Sequence, residues 1–441
     1  MIKLNCWAAL LGGAALANVA SASIVEHIVR TQDAGVDVIA YPMGANDVIT
    51  VRGSLPAGDS YAAAANIAAA SITGFMLDKG TTRQNKFAIA KQLDDAGAQM
   101  AFNVGAQMVS VQARFLKKDL PLVVRLMAEE LRTPAFSAEE FAKAKTQFEA
   151  SVRENQQSTD QRADEALSRA IFPVGHPNRK HSAKEWLEAA DKLTVEDLKA
   201  FHQKYYGPAY FTLVFVGDIN ASQIQQEVGK AFAGWAGGVG VVRTVSRDAV
   251  PAAHEEVVQV AGKESVSVSL GQSIGLRYQD PDTLALSVGT LILGSDFTSR
   301  LMSTVRNQEG LTYGIGAQIL GDTFVDGSWA IEATFAPQLL DRGITSTQRE
   351  LLKWWQGGVS AAELEARKTN VIGSYQVSLA TTGGMASAIL RTVNNGKPLT
   401  WLDEYRTAIQ ALTVDQVNTA IKKYLNPDHM VLIKAGSLAS K

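Results

Sequence analysis

Apolar and polar positions follow two periods that alternate along the chain. Segments 109–115 (VSVQARF) and 329–335 (WAIEATF) alternate apolar with polar residues, the period of a strand with one buried face. Segment 120–131 instead carries its apolar residues at helical spacing. Further on, Leu301 and Val305 stand four apart and predict a helix over 299–309, with Thr298 or Ser299 as N-cap and Gly310 as its stop. After Gly310, the residues Tyr313, Ile315, Ala317 and Ile319 alternate with Gly314, Gly316, Gln318 and Leu320, which predicts a strand. Arg306 thus falls in the last helical turn and Tyr313 at the strand's entrance. Periodicity alone makes them a solvated arginine and a half-buried tyrosine. Together the elements predict an α+β protein, with antiparallel-type sheets and helices segregated to one side.

Two parts of the chain repeat each other. The run from Leu193 and Thr194 through Tyr205, Pro208 and Leu213 to Gly217 matches Leu412 and Thr413 through Tyr424, Pro427 and Leu432 to Gly436, offset throughout by 219 residues. Each copy reads as a capping box (Thr194 with Asp197, Thr413 with Gln416), then a helix, a proline turn and an apolar strand. A second match pairs Ser137–Thr146 with Ser360–Thr369 at offset 223. Offsets this large and this similar indicate a duplicated domain rather than a short-period solenoid. The glycines of 234–240 suit a linker, which divides the chain into a first domain at 23–235, a linker at 236–252 and a second domain at 253–441.

With 441 residues, of which 46% are apolar, the chain can bury a large core. Its 42 basic and 44 acidic residues leave a formal net charge of -2 without a basic or acidic tract, so neither nucleic acid nor an anionic membrane is called for as partner. Residues 1–22 carry Lys3, an apolar run from Cys6 to Ala17 and an A-x-A site at Ala20–Ala22. That is the pattern of a secretory signal peptide cleaved before Ser23, and the apolar run falls short of the roughly 20 residues that span a bilayer. A periplasmic protein is expected, with full secretion as the other possibility. The only cysteine, Cys6, lies in the removed segment, so the mature chain would have no disulfide and no thiolate.

The stretch SRLMSTVRNQEGLTYGIGA, from Ser299 to Ala317, resembles the C-terminal half of the M16 (pitrilysin, insulysin and mitochondrial processing peptidase) family of zinc metallopeptidases. In that family a similar helix carries an arginine followed seven residues later by a tyrosine, and Arg306 and Tyr313 match the pair. The resemblance implies that they hold the substrate backbone and stabilise the charge developing on the scissile carbonyl oxygen. It also implies two homologous α/β sandwich domains forming a half-clamshell, and it covers essentially the whole mature chain.

The family's other half carries H-x-x-E-H on a helix, just ahead of a segment like M-x-x-K-G-T; here that segment is Met76–Thr81. Counting back puts the two histidines at Ser71 and Phe75 and the glutamate at Gly74. The third ligand falls at Gln147, with Glu149 close enough for a shifted alignment. A phenylalanine has no lone pair to offer, a glycine no carboxylate, and a serine hydroxyl is a poor zinc ligand. The six histidines are His27, His176, His181, His202, His254 and His429, and no two have the spacing of a helical ligand pair. His176 and His181 share one loop and read as solvated turn residues. No cofactor is therefore expected in this chain. The resemblance implies the zinc-free subunit of a heterodimeric periplasmic endopeptidase, whose homologous partner carries H-x-x-E-H and the zinc and which cuts peptides. The other reading is a non-enzymatic homologue that binds peptides or scaffolds a complex.

Overall fold

The computed structural model describes residues 23–44, 47–241, 243 and 253–438. The expected signal peptide lies outside the described residues, as does the linker apart from 236–241 and 243.

The described residues build two sheets. In the first, β1 (Val29–Asp33), β2 (Val36–Pro42), β3 (Val48–Leu55), β4 (Gln99–Val104), β5 (Val109–Leu116) and β6 (Thr212–Gly217) lie in the order β1-β2-β6-β3-β5-β4. In the second, β7 (Glu255–Gln259), β8 (Val266–Ser273), β9 (Thr312–Leu320), β10 (Ser328–Phe335) and β11 (Val431–Gly436) lie in the order β7-β11-β8-β10-β9. The duplication is visible residue by residue. The helices Val195–Tyr205 and Val414–Tyr424 each open on their capping box, and β6 and β11 follow them at the same offset. β4 and β9 are likewise counterparts, each the open edge next to a long antiparallel partner.

Two expectations are corrected. The sheets are mixed rather than antiparallel throughout, because β2 runs parallel to β6 and β7 parallel to β11. Such pairs need long crossovers, and here much of a domain intervenes between the paired strands. Nor do all the helices lie on one side. Most pack on the inner face of their own sheet, where Val51, Val111 and Leu213 meet Ile72 and Met76, and where Trp329 meets Trp354 in the second half. Helix Thr159–Ile171, however, crosses to the other half and lays Ala163, Leu167 and Ile171 on Val258, Ala330 and Ile433 of the second sheet. Its counterpart Thr382–Asn394 lays Met385 and Ile389 on Ile39, Val214 and Val216 of the first. Each fully buried aliphatic side chain there contributes about 1.5–3 kcal/mol, so the exchange of helices ties the halves together.

The loop after helix Thr159–Ile171 completes the junction, and it corrects the expectation of a solvated turn at His176. That ring is buried and stacked on Phe172 with centroids 4.3 Å apart. Its Nδ1 accepts the Asn178 N–H at 3.1 Å, which places the ring proton on Nε2, 3.1 Å from Asp326 Oδ1. Asn178 donates from Nδ2 to the carbonyls of Gly321 and Asp326. His181 is half-buried, edge-on to Trp186.

Candidate functional site

The segment leading to Arg306 is held by two ion pairs. Arg367 bonds the Asp296 carboxylate at 2.5 Å, and that bond, ahead of the contribution from Thr298, draws Asp296 down to a pKa of about 2. Arg300 forks onto Glu363 at 2.7 and 2.8 Å and likewise brings it down to about 2. Asp296 accepts the Thr298 N–H at 2.9 Å in a turn ahead of the helix, and Ser299 stands at the expected cap position just before the first helical residue, although its hydroxyl donates back to the Asp296 carbonyl at 2.6 Å instead of accepting from the helix. Leu301 and Val305 are fully buried, as their spacing predicts. The final turns widen into a π-helix at Met302–Gln308, where Glu309 N–H bonds back to Thr304 and Leu311 N–H to Val305. Gly310 follows with φ 63°, the left-handed stop its position predicts.

Arg306 differs from its neighbours Arg300 and Arg367 in having no carboxylate partner among the described residues. It donates to the Asn307 side chain at 3.1 Å, and its guanidinium lies 5.1 Å from the centre of the Phe297 ring, which is itself 67% exposed. Apolar–polar periodicity gives Phe297 no role. The available signal was a lone aromatic residue in the polar run from Ser295 to Arg300.

Tyr313 is on β9, as predicted, but 97% exposed rather than half-buried. The cause is a break in register against β10: Ala333 pairs with Ile315, whereas Phe335 pairs with Thr312. The irregularity reverses the side-chain phase, so Thr312 turns inward and Tyr313 outward. Thr312 fixes it, its Oγ1 lying 2.6 Å from the Thr334 carbonyl and accepting the Gly314 N–H at 3.2 Å. An exposed tyrosine on an open edge strand and an arginine without a carboxylate thus end the same helix–strand segment.

Helix Ala69–Met76 carries Ser71, Gly74 and Phe75, the positions at which the family resemblance expects zinc ligands and base, and these residues do not fit a metal. Ser71 donates its hydroxyl to Asp59 at 2.7 Å. A Cβ on Gly74 would come within 2.2 Å of Val104 Cγ2 on β4, so no larger side chain fits while the helix packs this closely. Phe75 sits edge-on to Phe148, and Phe148 edge-on to Trp186, an aromatic ladder in place of a ligand cluster. On helix Ala138–Asn155, Gln147 is exposed and it is its neighbour Phe148 that faces Phe75; Glu149 is half-buried and paired with Arg153 at 3.1 Å. Among the described residues, no three His, Cys, Asp or Glu side chains are grouped to hold a metal ion.

Asp59 is a feature of this site that spacing did not reveal. Burial pushes its pKa up from 3.8 to about 6, against the lowering effect of the Ser71 hydrogen bond. Because the folded-state value is raised, the native state holds the proton more tightly than the unfolded chain. Stability is then lost as pH rises from about 4 through 6, by up to about 3 kcal/mol. Asp59→Asn is expected to remove that loss and to be more stable than wild type at pH 7, with the advantage shrinking towards pH 4. Urea titrations of both proteins at the two pH values measure it, and an equal gap at both would contradict the assignment.

Fold and site define a duplicated two-sheet protein in which, among the described residues, no group of side chains is set to hold a metal ion. Residues 47–182 match the family model described as insulinase (peptidase family M16), and residues 192–371 the model described as peptidase M16 inactive domain. The chain belongs to the M16 peptidase family. It is 22% identical to an uncharacterised zinc protease of Streptomyces coelicolor, over 79% of this chain and 76% of that one. It is 20% identical to a non-peptidase homologue of Helicobacter pylori, over 79% and 80%. A peptidase M16 inactive domain from Pseudomonas fluorescens superposes with a TM-score of 0.85 at 25% identity, over 94% of this chain and 98% of that one. With no H-x-x-E-H in its sequence, the chain is an M16 homologue of the inactive type.

Proposed function

We propose that this chain is the zinc-free subunit of a heterodimeric zinc endopeptidase, supplying Arg306 and Tyr313 to an active site whose H-x-x-E-H helix and zinc belong to a homologous partner. The observation that carries the proposal is the pair itself. Tyr313 is almost fully exposed on an irregular strand and Arg306, beyond its contacts with Asn307 and Phe297, has no carboxylate partner among the described residues, so both can turn their donors to a substrate. The partner's zinc would supply an activated water. Tyr313 would donate its phenolic hydrogen to the oxyanion, and Arg306 would hold a substrate carbonyl by a charge-assisted hydrogen bond. The alternative is a peptide-binding or scaffold protein without a catalytic role, which the name of the Helicobacter pylori relative favours.

Export to the periplasm is part of the proposal. Its support is the signal-type sequence and the anchoring of the first described residues: Asp403 accepts the Ser23 hydroxyl at 2.7 Å and the N–H groups of Ile24 and Val25 at 2.8 and 3.1 Å. Cleavage before Ser23 would put the new ammonium beside that carboxylate, and N-terminal sequencing of the exported protein tests this. The function is tested by recovering the chain from its native cells. It is expected together with an M16 homologue bearing H-x-x-E-H, and recovery without such a homologue would contradict the proposal.

A further inference from the structure

Each half lends a helix to the other's sheet, but Thr382–Asn394 covers only part of the first sheet. It lies over β3 and β6, held at its start by Thr382 Oγ1 against Thr50 Oγ1 at 2.8 Å and at its end by the Ser54 hydroxyl donating to Asn394 at 2.9 Å. The outer faces of β5 and β4 stay open beside it. There the strand registers set Thr50, Arg114 and Gln99 in one row and Arg52, Gln112 and Ala101 in the next. The result is a concavity of about 470 Å³ between the helix start and the edge strand, of a size that takes a small ligand or one or two residues of a peptide.

Its charge is unbalanced. Arg52 and Arg114 line it and no acidic side chain does. Among the described residues neither guanidinium meets a carboxylate, and Arg52 makes only a 3.3 Å bond to the neighbouring Val51 carbonyl. Another concavity of the first half, between helices Leu120–Arg132 and Ala221–Phe232, makes the contrast. Its Arg83 and Arg125 pair with Glu129, and its Arg132 donates to the carbonyls of Ala231 and Ala233. Those arginines support the fold, whereas Arg52 and Arg114 leave their donors for something else.

We infer that the Arg52–Arg114 concavity binds a carboxylate of a peptide, either its free C-terminus or an acidic side chain, with the Gln99 and Gln112 amides beside the two guanidinium groups. This deepens, and rests on, the reading of the chain as a peptide-handling subunit. It would give that subunit a hold on substrate apart from Arg306 and Tyr313. Two guanidinium groups suit a carboxylate through parallel N–H bonds, and their exposure makes the attraction sensitive to salt.

Calorimetric titration of the full chain, which needs no partner, tests the inference. The probes are three N-acetylated alanine–serine peptides: one with a free C-terminus, one amidated, and one amidated with an internal glutamate. The free-acid peptide is expected to bind, and amidation to weaken it by about tenfold or more. Recovery by the glutamate peptide identifies a side-chain carboxylate as sufficient; no recovery identifies the terminus as the ligand. Arg52→Gln with Arg114→Gln, checked for unchanged melting, is expected to erase the difference between acid and amide. If acid and amide bind the wild type equally, or neither binds at millimolar concentration, the carboxylate site is overturned. The peptidase reading is judged separately, by assays of the partnered complex.

Discussion

Tyr313→Phe is expected to leave the chain as stable as wild type, to leave its assembly with a zinc-bearing homologue intact, and to lower kcat of the mixed complex by about 10² or more. The structure separates these effects. The ring is 97% exposed, so loss of the hydroxyl removes neither packing nor a structural hydrogen bond among the described residues. Removing one oxyanion donor typically costs about 3 kcal/mol of transition-state stabilisation, and that loss falls on the chemical step. Arg306→Ala is expected to raise KM as well as lower kcat, because a contact with the substrate backbone is present before and during the reaction. Melting temperature, dimer formation and turnover measured on the same preparations distinguish the outcomes. Full turnover in an assembled Tyr313→Phe complex would move the preference to a scaffold role.

Installing the family's ligands in this chain is expected to damage it without creating a zinc site. In the triple variant Ser71→His, Gly74→Glu and Phe75→His, the new glutamate has to displace Val104, whose Cγ2 occupies the space of a Cβ at position 74. Overpacking a helix against a strand costs about 1–3 kcal/mol, and a buried carboxylate without a partner adds to it. Replacing Ser71 also removes the hydroxyl that Asp59 accepts from. A loss of at least about 3 kcal/mol in a urea titration is expected, with no stoichiometric zinc by metal analysis, since Phe148 rather than a carboxylate faces position 75. A stable triple variant holding one zinc per chain would show that the site had kept its metal-binding geometry.

Local chemistry made much of the fold legible. The capping boxes at Thr194 and Thr413 open the two helices at the predicted places, and strands β5 and β10 fall on the segments whose alternation marked them. What escaped was decided by partners far away in sequence. Alternation cannot tell strand direction, so the parallel pairs β2–β6 and β7–β11 were invisible. The apolar stripe of helix Thr159–Ile171 shows that it buries Leu167 and Ile171, not that it buries them on the other half's sheet. His176 looked like a turn residue because its partner, Asp326, is 150 residues away. Arg306 and Tyr313 were legible through their seven-residue spacing, but strict period-2 reading put Tyr313 on the buried side. Only the break in register opposite Ala333 and Phe335 turns it out, and nothing in the alternation announces that break.

Completion of an active site between two unlike chains is measured by peptide turnover in three preparations: this chain alone, its H-x-x-E-H homologue alone, and the two mixed. Cleavage is expected only in the mixture, with maximal activity at a one-to-one ratio. Undiminished cleavage by the homologue alone, unchanged when this chain is added, would contradict it.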